Sequence, residues 1–285
     1  MTVISEAEVA LCKRVEARAR EYVRTYVPSR ELEPAAGIRV DPAYCTAVAS
    51  AYHAMAHEPS NPAIRAEFSA FKAETQLQYE YILEAGINVL PWQSGKRTGG
   101  RYASTIELRQ KVARSSTIYV YLTDHGYGPE EIRQLNGSNH PMLEFSDYLV
   151  HGVQLRYNDL YRVVHDVFGH MMYDYDLGLE GEIGALFVHM QMYSTVARRA
   201  LFAESLAQVC CYHFGGEPDP AEGEPASRQG GSRAAAQAAM STSAPTHAEV
   251  YPRHRFPAQK AGLFPIDLVD GCERLRAGGA ARLPV

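Results

Sequence analysis

Behind Ser5-Glu6-Ala7-Glu8, a capping box, Val9, Cys12, Val15, Ala19 and Tyr22 recur at helical spacing and predict an N-terminal helix. Asn61-Pro62 is an N-cap with proline at the first helical position. Ile64, Phe68, Phe71 and Ile82 carry that helix on until Gly86 ends it. Ile87 to Leu90 reads as a short strand. Ser104 and Glu107 form a second capping box, opening a helix to about Arg114. Thr117 to Thr123 (TIYVYLT) is the clearest strand, because β-branched and aromatic side chains suit a pleated surface. From Asn158 to Phe214 the spacing is helical, broken near Asp174 to Gly181.

The intervening segments read as loops. Trp92 to Tyr102 contains Gly95-Lys96 but lacks the upstream glycine and the following Ser/Thr of a phosphate-binding loop, so a nucleotide reading is rejected there. Gly126, Gly128, Pro129, Asn136 and Gly137 mark a second loop. Residues 215–249 are Gly, Ala, Ser, Pro and Glu almost without large apolar groups, the composition of a flexible linker or loop. Tyr251 to Val269 recovers aromatic and aliphatic residues. The expected organisation is a single helix-rich catalytic domain over 1–214, a low-complexity linker over 215–249, and a C-terminal segment over 250–285 that packs back on the body. The fold class is mainly α with a small β-sheet.

Composition narrows the function classes. Apolar residues make up 46% of the 285, enough for a core. A net charge of -5 argues against nucleic acid or an anionic membrane as the main partner. With no run of eighteen apolar residues and no apolar stretch at the start, a soluble, cytoplasmic protein is expected. The five cysteines are odd in number and include no CxxC, so free thiols are expected.

The chemistry concentrates in His165-Asp166-Val167-Phe168-Gly169-His170. On an α-helix the two histidines point about 140° apart, so sharing a metal requires a helix that distorts or ends between them, and Gly169 is where it can loosen. Imidazole suits iron, zinc or copper. A third ligand is expected to be a carboxylate, with Glu180, Glu182 and Glu204 as candidates. Glu204 shares one face with Ala197, Leu201 and Gln208 in an otherwise apolar helix. A carboxylate there costs several kcal/mol unless paired or bound to a cation. Two histidines and one carboxylate form the facial triad of non-haem Fe(II) oxygenases. Plainer roles exist for each group. Glu204 can pair with Arg198 or Arg199, Asp166 can cap or pair with arginine, and Glu182 and His189, seven apart on one face, can form a hydrogen-bonded pair. Asp166 can also hold a ligand imidazole in one tautomer. Asn158-Asp159 suits the start of the helix that carries the histidines, and Tyr193 and Met192 suit a core.

The segment His165 to His170 resembles the H-[DE]-x-x-G-H motif of the pterin-dependent aromatic amino acid hydroxylases. Tyr148-Leu149-Val150-His151-Gly152 resembles that family's Tyr-Ile-Arg-His-Gly, and Glu182-Ile183-Gly184 its Glu-Ile-Gly. The resemblance covers roughly residues 145 to 212. It implies a hydroxylase-like catalytic fold, Fe(II) held by His165, His170 and Glu204, and Glu182 near the co-substrate. It also implies a reduced pterin as an electron source, and Val150, Asn158 and Tyr193 facing the substrate. Val150 stands where the family has the arginine that grips the amino acid carboxylate. Free Phe, Tyr and Trp are therefore not the expected substrates unless Arg156 or Arg162 takes over that role. The chain also resembles a bacterial and phage-associated family with a TDxGxG element, NDLxRxVHDxFGH, a later Glu and QKxGL. Here these are Thr123 to Gly128, Asn158 to His170, Glu204 and Gln259 to Leu263.

The expected function is a non-haem Fe(II) oxygenase acting with dioxygen on a small aromatic or amino-acid-derived molecule. The alternatives are a zinc hydrolase on the same ligands with Glu182 as general base, and a non-catalytic module stabilised by its metal.

Overall fold

The structure, a computed structural model, describes residues 4–92, 102–125, 137–215 and 256–276. The N-terminal capping box forms: the Ser5 hydroxyl accepts from the Glu8 amide, and the Glu8 carboxylate accepts from the Ser5 amide at 2.9 Å. It opens α1 (Glu6–Tyr26), whose buried stripe is Leu11, Val15, Ala19, Tyr22 and Val23, while Val9 faces outward. Asp41 before Pro42 starts α2 (Pro42–Ala54), a helix the apolar spacing did not announce. The same Asx-Pro signal starts α3 (Pro62–Glu84), which buries Ile64, Phe68, Phe71 and Ile82 completely.

Strand β1 (Asn88–Trp92) pairs in parallel with β2 (Thr117–Tyr121), and α4 (Thr105–Ser115) crosses between them. The second strand ends at Tyr121, two residues before the expected Thr123, because both the amide and the hydroxyl of Thr123 are drawn to the Asp159 carboxylate. A hairpin of β3 (Phe145–Val150) and β4 (Val153–Arg156) follows. His151 and Gly152, with φ of 49° and 80°, supply the two left-handed residues that a tight hairpin turn demands.

The helical run from 157 onward is more broken than its sequence suggests. Helix α5 (Tyr157–Val164) continues into a π-helix over His165–Met171. Helix α6 (Leu179–Met192) comes next, then α7 (Arg198–Glu204) and α8 (Leu206–Phe214), separated by Ser205 alone. Residues 256–276 lie against this body. Phe264 is buried against Phe202, and the Tyr44 hydroxyl donates to the Leu268 carbonyl at the start of α9 (Ile266–Asp270). The proposed linker over 215–249 falls, apart from Gly215, outside the described residues.

The molecule is therefore mainly helical with two small sheets. Buried Arg109 on α4 bonds Glu8 of α1 and reaches Asp174, fastening the chain just after the π-helix. The cysteines are free, and burial pushes the Cys211 and Cys272 thiols up to about 12, which suits packing and not reactivity. Among the described residues no helix is long and apolar enough to cross a membrane.

Candidate metal centre

The π-helix resolves the facing problem posed by two histidines five residues apart. Its hydrogen bonds run i→i+5, as from the Met172 amide to the Val167 carbonyl at 3.0 Å and from Tyr175 to His170 at 3.1 Å. A chain wound this way returns to the same side about five residues later, so both imidazoles point to one place. Their Nε2 atoms are 2.9 Å apart.

Helix α6 brings in the third group. Glu182 places its carboxylate oxygens 3.1 Å from His165 Nε2 and 3.7 Å from His170 Nε2. These residues form the one His/Cys/Asp/Glu cluster of ligand geometry among the described residues. Ligand atoms about 2.0–2.2 Å from a shared ion lie roughly 2.9–3.5 Å apart at right-angled to tetrahedral geometry, so the triangle fits a metal with little adjustment. His170 is fully enclosed, whereas His165 and Glu182 are 15% and 21% exposed, so the cluster is reached from one side.

Each imidazole is held from behind. His170 Nδ1 lies 3.2 Å from the Tyr175 carbonyl, which only accepts, so Nδ1 donates and Nε2 is left to face the cluster. His165 Nδ1 lies 3.3 Å from His189 Nε2, and the two rings stack with 24° between their planes. Burial and the neighbouring histidines push the His189 pKa well below its usual value, so it stays neutral and can accept the His165 proton. The close approach of α6 depends on Gly169. A Cβ there would meet His189 Nε2 at 2.9 Å and the Ala185 Cβ at 3.0 Å.

The electrostatics follow from this packing. Burial disfavours a charge on Glu182, but His165 and His170 outweigh it and hold the carboxyl far below the usual range. Burial likewise disfavours a charge on His170, yet Glu182 wins and raises its pKa. The Asp166 carboxyl is raised by burial, against His165, His170 and Arg162.

Several expected roles are corrected by these contacts. Glu182, expected to order a co-substrate, lies with His165 and His170 in the cluster that could hold a metal ion. Glu204, expected as the third ligand, is not in the cluster: its Oε2 accepts from Gln259 at 2.8 Å and its Oε1 lies 3.2 Å from His140 Nε2. Asp166 orients neither imidazole, since both Nδ1 atoms are taken by His189 and the Tyr175 carbonyl. Tyr193 is fully buried in the core with its hydroxyl on Thr75. Asn158 is committed to Thr123 and Gln259. Val150 sits at the tip of the hairpin, which is tied to α3 through Tyr148 and Glu80. Arg156 is taken by Asp124, by the Leu143 carbonyl and by the Phe145 ring. Arg199 pairs with Glu67, and Arg198 donates to the Met190 carbonyl, so neither answers Glu204.

Two contributors had weak sequence signals. His189 shares a helix face with Glu182, and that spacing did place both beside His165, although they do not bond each other. His140 was marked only by its place before Pro141, where its Nδ1 accepts from the Met142 amide.

No protein-family model, curated protein or solved structure matches this chain.

Proposed function

We propose that the chain is a non-haem Fe(II) oxygenase with His165, His170 and Glu182 as its metal-binding residues, on a hydroxylase-like helical fold. The observation that carries this reading is the convergence of two imidazole Nε2 atoms and one carboxylate within 3.7 Å, each ring held through Nδ1. With Nδ1 donating on each ring, the two Nε2 atoms 2.9 Å apart are left to share a proton or a cation beside Glu182. An Fe(II) ion in such a triad supplies open positions for dioxygen and substrate.

The chain's own contributions can be stated without that ion. Glu182 provides the negative charge that offsets a divalent cation. His189 and the Tyr175 carbonyl fix the ring planes and tautomers, the usual task of groups behind a metal ligand. Phe168, Val164 and Val167 are fully buried around the histidines and keep bulk water from the rear of the cluster. Electrons come from a reduced pterin or from the substrate itself. The zinc-hydrolase alternative loses its proposed base, because Glu182 is drawn into the ligand set.

The test is anaerobic titration with Fe(II), followed by nitric oxide as a dioxygen surrogate. One Fe(II) per chain and a high-spin iron–nitrosyl EPR signal are expected, with dioxygen uptake then compared with and without a reduced pterin. Preferential Zn(II) loading with no nitrosyl signal would sink the oxygenase reading.

A further inference from the structure

The loop between the π-helix and α6 touches two of the three residues of the metal cluster. The Tyr175 carbonyl takes two donors, His170 Nδ1 at 3.2 Å and the Thr105 hydroxyl at 2.7 Å. The Tyr175 amide in turn donates to the His170 carbonyl at 3.1 Å, so the two residues are joined through backbone and side chain. The same loop lies along the start of α6, on both sides of Glu182. The Asp176 carbonyl is pressed so closely against Gly181 that a Cβ there would overlap it. The Tyr175 ring lies across Gly184, where a Cβ would stand 2.6 Å from it. These contacts account for the sequence Gly181-Glu182-Ile183-Gly184, in which two residues without side chains flank the carboxylate.

What fixes the loop is α4. Thr105 and Arg109 lie one turn apart on one face of that helix and are 3% and 5% exposed. Thr105 holds the Tyr175 carbonyl. Arg109 reaches Asp174 at 2.5 Å while bonding Glu8 of α1 at 3.1 Å. Asp174 has a φ of 60°, a left-handed conformation unusual for a residue with a side chain, and the ion pair fastens it there. A backbone carbonyl has two lone pairs. At Tyr175 one is engaged from α4 and the other from the π-helix, so the peptide cannot turn without breaking one of the two bonds.

A purely packing role at this place would call for the bulk of Thr105 and not for its hydroxyl. The hydroxyl ends on the same oxygen that holds the imidazole. We propose that Thr105 is a positioning residue of the metal site. With Arg109 it anchors the loop. Through the Tyr175 carbonyl it sets the ring plane of His170, and through the loop's contacts at Gly181 and Gly184 it sets the seat of Glu182. The cluster is thereby coupled to α4 and α1, two helices that contribute no group to it. His165 is held by His189 instead and serves as an internal reference.

The assignment rests on the proposed metal cluster and not on its oxygen chemistry. In the full chain, Thr105→Val removes the hydroxyl and keeps the shape, whereas Thr105→Ser keeps the hydroxyl. Titration with Co(II) should show Thr105→Val binding about 10-fold more weakly than the parent and Thr105→Ser within about 3-fold of it. In metal-free protein, NMR of the histidine side chains should show the His170 Nδ1 proton exchanging with water several-fold faster in Thr105→Val, with the His165 proton unchanged. Asp174→Asn removes the Arg109 ion pair at a half-exposed position and keeps a residue that tolerates the left-handed conformation. It should shift both readings the same way, by a smaller factor. Parental readings in Thr105→Val, or a Thr105→Ser protein as weak as Thr105→Val, would overturn the assignment. Should Thr105→Val not fold, parental readings in Asp174→Asn would overturn it. A parent that binds Co(II) but gives no nitrosyl signal with Fe(II) removes the oxygenase reading alone. A parent that binds neither ion overturns both.

Discussion

Glu182 and Glu204 are two carboxylates set into the same helical body, and they meet different company. Glu182 sits at the start of α6, a fifth exposed, with two imidazoles beside it. Glu204 ends α7, enclosed, with an amide and a singly protonated imidazole for neighbours. The difference teaches that burial of a carboxylate is not by itself a mark of metal binding. What sets Glu182 apart is the pair of imidazole nitrogens that converge beside it. At Glu182 two imidazole Nε2 atoms converge on the same point. At Glu204 the neighbours present protons.

The largest expected effect separates the two carboxylates directly. Glu182→Ala and His170→Ala should each weaken metal binding by more than about 100-fold, since losing one of three ligands exceeds the 10–100-fold typical of groups behind them. Glu204→Ala should leave metal affinity within a few-fold of the parent. Isothermal titration with Co(II) or Fe(II) reads both, and the reverse ranking would invert the comparison.

A smaller effect tests what holds Glu182 in place. Gly169→Ala inserts a methyl group into a 2.9–3.0 Å gap against His189 and Ala185, and helix packing has to yield. A loss of about 1–3 kcal/mol in stability is expected, with metal affinity down roughly 10-fold. Urea unfolding and metal titration check the two parts. A variant as stable as the parent with full affinity would show that the approach of α6 does not set the ligand geometry.

The smallest effect is a dependence on pH at the histidine–carboxylate cluster. The pKa of His170 in the folded chain is above its usual 6.5, so its stabilising contribution is full below 6.5 and lost as pH rises through the raised value. Glu182 is depressed, so its contribution is present above 4.5 and lost as pH falls toward the depressed value. The metal-free protein should therefore lose some thermal stability above pH 6.5. The metal-loaded protein should not, because the cation replaces the proton, and the gap between their Tm values should widen. A constant gap across that range would mean that proton and metal do not compete for the same place.

The histidine pair was legible in the sequence because its spacing is short and local. So were α1, α3, α4 and the approximate place of both parallel strands, where caps and β-branched runs act within a few residues. The carboxylate that joins them, Glu182, was not. Both glutamates lie on helices with apolar faces, and helical periodicity says which residues are enclosed without saying what they face. That depends on how α6 packs against the π-helix at Gly169 and Ala185, a contact between segments whose approach no local pattern encodes. Helix α2 and the β3–β4 hairpin were missed for different reasons. In α2 the buried stripe is Tyr44, Cys45, Val48, Ala49 and Tyr52, with Val48 its one aliphatic residue larger than alanine. In the hairpin Leu149 and Phe145 face outward, so the alternation does not mark a buried side.

The winding of the segment from His165 to Met171 has a consequence for chain length. A π-helical stretch amounts to an α-helix carrying one additional residue, and here that residue lies between the two histidines. Deleting Val167 or Phe168 would let the segment relax to i→i+4 winding with the imidazoles four apart and still on one side. The pair would survive, but His170 and everything beyond it, Tyr175 included, would be drawn back by one residue relative to His165. Relatives of this chain are therefore expected to keep the number of residues between the histidines, with a glycine at the position of Gly169.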